Sequence, residues 1–173
     1  MKNKLITLTA SLFLAVAVGA HAEDAKAAKT GSPEFERMKN LVGSWSGKVD
    51  MGQGPVDLTA TYRLIAGGSV LEERVFAGMP NEMLTMYFDK GGKLAATHYC
   101  LFGNRPQLFL KSSDDKSITF DFDATCGIDT KKESHMHSMK IVFNDADTIT
   151  TSCQAFMEGK EMPDHATVLK RVK

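Results

Sequence analysis

Ile118, Phe120 and Phe122 alternate with Ser117, Thr119, Asp121 and Asp123, the clearest hydrophobic pattern in the chain. A period of two sends successive side chains to opposite faces of a β-strand. The same period recurs over 44–51, 56–66, 69–77, 83–89, 93–102, 107–112, 117–124, 134–143, 148–157 and 162–172. Turn signals separate these segments, among them Gly67-Gly68, Gly91-Gly92, Gly103-Asn104-Arg105-Pro106 and Glu158-Gly159-Lys160. About ten short strands with tight turns and no helical stretch between them form an antiparallel meander, which must close or stack to hide its edges. The pattern predicts an all-β fold, an up-and-down antiparallel β-barrel of about ten strands, with a sandwich as the alternative. Before the first strand, Phe35, Met38 and Leu41 lie at helical spacing behind Ser32 as N-cap and Pro33 at N1. They predict a short N-terminal helix that closes one end of the barrel.

Alternation also assigns faces. Val56, Leu58, Ala60, Tyr62 and Leu64 form one inner set, Leu84, Met86 and Phe88 another, and Leu94, Ala96, His98, Cys100 and Phe102 a third. In 69–77 two assignments stay open: Leu71, Glu73 and Val75 inward, or Val70, Glu72, Arg74 and Phe76 inward. In 134–143 the more apolar face carries His135, His137, Met139, Ile141 and Phe143. A barrel of ten strands is wide enough to leave an internal cavity.

The ends of the chain add a cellular context. Lys2 and Lys4, the apolar run 5–18 and the Ala20-His21-Ala22 site have the layout of a secretory signal peptide over 1–22. Export, most simply to a bacterial periplasm, is the expectation, with a disordered lead over 23–32 and the barrel domain over 33–173. Cleavage would remove two lysines, leaving 19 basic against 21 acidic residues. So even a balance argues against a nucleic-acid partner, and the mature chain carries no membrane-spanning run. Three cysteines in an oxidising compartment allow one bridge. Cys126 with Cys153 is the candidate pair, and Cys100 is expected to be reduced, as a small buried hydrophobe.

Candidate chemistry follows from the inward histidines. His98, His135 and His137 fall near one end of the barrel at similar height, and three imidazoles can hold a divalent transition metal such as zinc with one position open. Glu73 or Glu72 is then the candidate general base. Cys100, Tyr62 and Phe120 are candidate ligand contacts within the barrel, and Asn104 and Arg105 candidate contacts at its mouth.

Two resemblances accompany this reading. Gly43-Ser44-Trp45 after a short helix is similar to the Gly-x-Trp signature of lipocalins and their calycin relatives. That resemblance implies a structural Trp45 at the closed end, covered by a basic residue of the last strand, Arg171 or Lys170. The runs Leu41-Val42-Gly43-Ser44-Trp45, Thr97-His98-Tyr99-Cys100 with Asn104 and Pro106, and His135-Met136-His137 resemble a family of exported bacterial lipocalin-like proteins without an established activity. The haem-binding nitrobindins are more distantly similar through Gly43-Ser44-Trp45-Ser46-Gly47. Val49 replaces their third glycine, and His165 is one residue out of phase with the last strand, which argues against haem. The expected function is a barrel binding a small, partly apolar molecule in a cavity lined by His98, His135 and His137. The alternative is a metal-dependent hydrolase or isomerase using those three histidines.

Overall fold

The computed structural model describes residues 31–50 and 54–173, so the expected signal peptide and all but the last two residues of the expected lead lie outside the described residues. The helix α1 (Pro33–Met38) begins where expected: Ser32 Oγ accepts the Phe35 amide at 3.2 Å, and Pro33 occupies the first turn. Ser32 is itself fixed, its amide and hydroxyl both donating to Asp89, at 2.6 and 2.7 Å. A 3-10 turn (Lys39–Leu41) completes the segment, and Phe35, Met38 and Leu41 enter the core.

The strands follow as β1 (Gly43–Asp50), β2 (Pro55–Ile65), β3 (Val70–Val75), β4 (Met83–Lys90), β5 (Lys93–Tyr99), β6 (Gln107–Ser113), β7 (Ser117–Phe122), β8 (His135–Phe143), β9 (Thr148–Met157), β10 (Lys160–Glu161) and β11 (His165–Arg171). From β1 to β9 each strand pairs antiparallel with the next. β9 then pairs with β11 and β11 with β1, so ten strands close an up-and-down barrel. The two-residue β10 only extends a hairpin at the end of β9. The fold is consistent with the lipocalin-like or calycin-like architecture. At the closing seam Gly47 leaves no room for a side chain: a Cβ there would stand 2.2 Å from the Val168 carbonyl oxygen. The β1–β11 approach depends on that glycine.

Most expected faces are observed. Ile118, Phe120 and Phe122 are buried, as are Leu94, Ala96 and His98, and Ala60 and Tyr62. Val56 and Leu64, at the ends of β2, are exposed instead. β4 is reversed relative to the expectation. Thr85 and Tyr87 are buried, whereas Leu84, Met86 and Phe88 are only half-buried. Hydrophobicity misleads there because the inward face of β4 belongs to a hydrogen-bonded polar set. The closed end is filled by Trp45, Phe35, Met38, Leu41 and their neighbours. Trp45 Nε1 donates to the Leu41 carbonyl at 2.7 Å. The Arg171 guanidinium lies 4.3 Å from the Trp45 ring centre and donates to the carbonyls of Val42 and Asn40.

Candidate functional site

One lateral row of side chains organises the interior. Strand register places Tyr62 of β2 opposite Glu73 of β3, Glu73 opposite Thr85 of β4, and Thr85 opposite His98 of β5. Directly opposed residues share a face and stand about 5 Å apart, so the row is continuous across four strands. All four are buried. Glu73 takes a phenol on each oxygen: Tyr62 donates to Oε1 at 2.5 Å and Tyr87 to Oε2 at 2.6 Å. Burial, followed by the Glu73 carboxylate, pushes both phenols well above their ordinary range, which keeps them as donors. At the other end of the row His98 Nδ1 lies 2.9 Å from Thr85 Oγ1, and Nε2 is buried with no hydrogen-bond partner among the described residues. Burial lowers His98 to about 4, so the ring is neutral near pH 7.

Of the two faces left open for β3, the structure has Leu71, Glu73 and Val75 inward. Glu72 is also buried, but on the opposite face, where Arg63 binds both of its oxygens at 2.6 and 3.1 Å and Arg74 stands at 3.7 Å. It is an ion-pair residue of the wall and does not reach the interior.

Beside the row is a cavity of about 140 Å³. It lies away from the helix, at the His98 end of β5. Glu73, Thr85 and His98 form part of its wall; Val49, Leu58, Val75, Phe76, Met83, Met136 and Met139 supply the apolar part. Thr151, Cys153, His165 and Thr167 complete the far side. Burial pushes the Cys153 thiol up to about 11, so it too is uncharged. Phe76 enters the wall with φ of 54°, in the left-handed region that a bulky residue rarely adopts. Its amide donates to the Thr59 carbonyl and its own carbonyl accepts from Met79, which holds the turn. No sequence pattern announces that turn, and neither Thr85, Cys153 and His165 at the cavity nor Tyr87 behind Glu73 is expected from the sequence. The register from Tyr62 to His98 was the signal that could have found Thr85.

His135 and His137 do not join His98. In β8 the register slips by one residue between Met136, opposite Ala155, and Ser138, opposite Gln154. This β-bulge brings Met136 to the cavity in place of the two imidazoles, while Met139 lines it as expected. The imidazoles instead form a ring cluster with Phe122 and Phe156, with centroids 4.6–5.7 Å apart. His135 Nδ1 lies 2.8 Å from the Glu133 carbonyl, which can only accept, so that nitrogen carries a proton. In the neutral ring, Nε2 then accepts from His137 Nδ1 at 3.2 Å. Both nitrogens of His135 are thereby used, and neither lone pair is free for a metal. Among the described residues no group of three or more His, Cys, Asp or Glu is placed to hold a metal ion.

The remaining candidates are dispersed. Phe120 belongs to the packed core, 5.7 Å from Tyr87 between ring centres. Cys100 is half-buried in the turn after β5 and does not line the cavity. Asn104 donates to the Ser134 carbonyl at 2.8 Å, tying that turn to the start of β8, and Arg105 is exposed. All three cysteines are free, so the expected Cys126–Cys153 bridge is absent. No helix among the described residues is long and apolar enough to cross a membrane. Neither a protein-family model nor a curated protein matches this chain.

Proposed function

We propose that the protein is an exported barrel that binds a small, partly apolar molecule in the cavity beside Glu73 and His98. The observation that carries this reading is the mixed wall of that cavity. Seven apolar side chains line a space next to an imidazole whose Nε2 has no hydrogen-bond partner among the described residues. A concave, mainly apolar site with a few placed polar groups is how small-molecule sites are generally built. A volume of about 140 Å³ is close to that of apolar cavities of about 150 Å³ that take up benzene, so the ligand is a molecule of that size and a porphyrin is far larger. Export is supported by the signal-like layout of residues 1–22.

Benzene and 1-butanol are suitable first probes, followed through ¹³C-labelled methionine methyl groups. Met83, Met136 and Met139 line the cavity, and their resonances are expected to shift in a saturable way while that of Met79, exposed on a loop, stays put. Unmoved cavity methyls up to the solubility limit of both probes would remove the binding reading. Export is checked separately: the mass of protein recovered from the periplasmic fraction should correspond to a chain beginning at Glu23.

A further inference from the structure

We infer that the cavity selects a compact cation, a protonated primary amine on a short apolar body, with Glu73 as its counter-charge. The inference rests on the cavity being a ligand site and adds the charge of what enters it.

Glu73 is 8% exposed, lines the cavity, and has both oxygens occupied as acceptors by phenols. Tyr62 and Tyr87 are its two hydrogen-bond partners among the described residues, and neither carries a positive charge. Two phenols solvate a carboxylate without neutralising it. No Lys or Arg lines the cavity, and Glu73 forms no ion pair among the described residues. Its sequence neighbour shows the contrast: Glu72, equally buried, has two arginines. A buried charge is normally paired, and the cavity that Glu73 lines gives a partner room beside it.

The rest of the wall suits an ammonium group. Each carboxylate oxygen accepts one phenol and keeps a further lone-pair site. Thr85 lies between Glu73 and His98 in the row and offers a hydroxyl. With its proton on Nδ1, donating to Thr85, His98 presents Nε2 as an acceptor. A primary ammonium has three donors and no acceptor, which matches a carboxylate oxygen, a hydroxyl and an imidazole lone pair. The other titratable groups facing this space are Cys153 and His165. The thiol is neutral. His165, half-buried at the first residue of β11, is the second imidazole of the lining. The methionines, Val75 and Phe76 would cover a short hydrocarbon body.

The test is a series of equal length and different charge on the intact mature chain at pH 7.5: n-butylamine, 1-butanol and butyrate, each titrated against the Met83, Met136 and Met139 methyl resonances. Wild-type protein is expected to bind butylamine at least about tenfold more tightly than butanol, the size of effect typical of one charged hydrogen bond, and butyrate more weakly still. Glu73→Gln keeps the side-chain shape and is expected to abolish the amine preference, so that the ratio of butylamine to butanol affinity falls to about one. Equal or tighter binding of butanol or butyrate by wild-type protein overturns the inference and leaves the binding reading standing. An amine preference that survives in Glu73→Gln also overturns it. If that variant does not fold, the wild-type series decides alone. If none of the three probes, nor benzene, moves the cavity methyls, the binding reading and the inference fall together.

Discussion

His98 is an imidazole only 3% exposed whose single bond, to Thr85, leaves Nε2 without a protein partner. Burial alone lowers it from 6.5 to about 4, which ties its protonation to stability. Below pH 6.5 the unfolded chain takes up a proton that the folded chain refuses, so stability falls with pH until about pH 4. One pKa unit is worth about 1.4 kcal/mol, so the expected loss at pH 5 relative to pH 7.5 is about 2 kcal/mol. His98→Gln should lack this part of the slope. Urea midpoints of both proteins at the two pH values measure it; parallel losses would show that His98 is not the group responsible. The inward position of His98 was legible because β5 alternates strictly and its opposite face carries Lys93 and Tyr99. Glu73 was half legible, since Leu71 and Val75 share its face while Val70 and Phe76 flank the alternative. Tyr87 and Thr85 were not legible, because alternation by hydrophobicity favours Leu84, Met86 and Phe88 and cannot register that a buried carboxylate next door needs hydroxyl donors.

At the level of the strand, the deciding event is the bulge in β8. Before it Met136 faces the cavity, and after it Met139 and Ile141 are buried, a spacing of three and then two. Pattern reading assumes an unbroken period, so one extra residue puts Met136 at the cavity and leaves both histidines out of its lining, although His135 itself is fully buried. The bulge makes His137 removable in principle. Deleting it joins Met136 directly to Ser138 and restores simple alternation against Ala155 and Gln154. The deletion is expected to fold with its cavity intact, lowering stability by about 1–2 kcal/mol through loss of the ring contacts with Phe122, His135 and Phe156. Deleting Met139 instead turns Lys140 inward and should prevent folding. Far-ultraviolet circular dichroism and thermal melts of the two deletions separate the cases; equal damage would mean that the bulge is needed for closure. The rest of the meander was readable strand by strand because its turns are marked by glycine pairs and its strands are short.

For the molecule as a whole, cohesion comes from one continuous core running from Phe35 and Trp45 through Tyr87 and Phe120 to Met139. A domain of this length can bury enough apolar surface without covalent staples, and the three cysteines are apart from any bridge. Alkylation of the denatured protein without reductant is therefore expected to add three groups per chain. One group would indicate a disulfide, and with it a rearranged β9 wall. In the native protein Cys153, raised to about 11 by burial, should react last. The closed wall has a further consequence through its seam. β1 has β2 on one side and β11 on the other, with Trp45 opposite Arg171 in register. The first strand of the barrel thus waits for the last, across more than a hundred intervening residues. A nascent chain emerging from the ribosome holds an incomplete cylinder until Arg171 is out. Closure is then a late, long-range event, and a chain of this design stays pliable for as long as it is in transit.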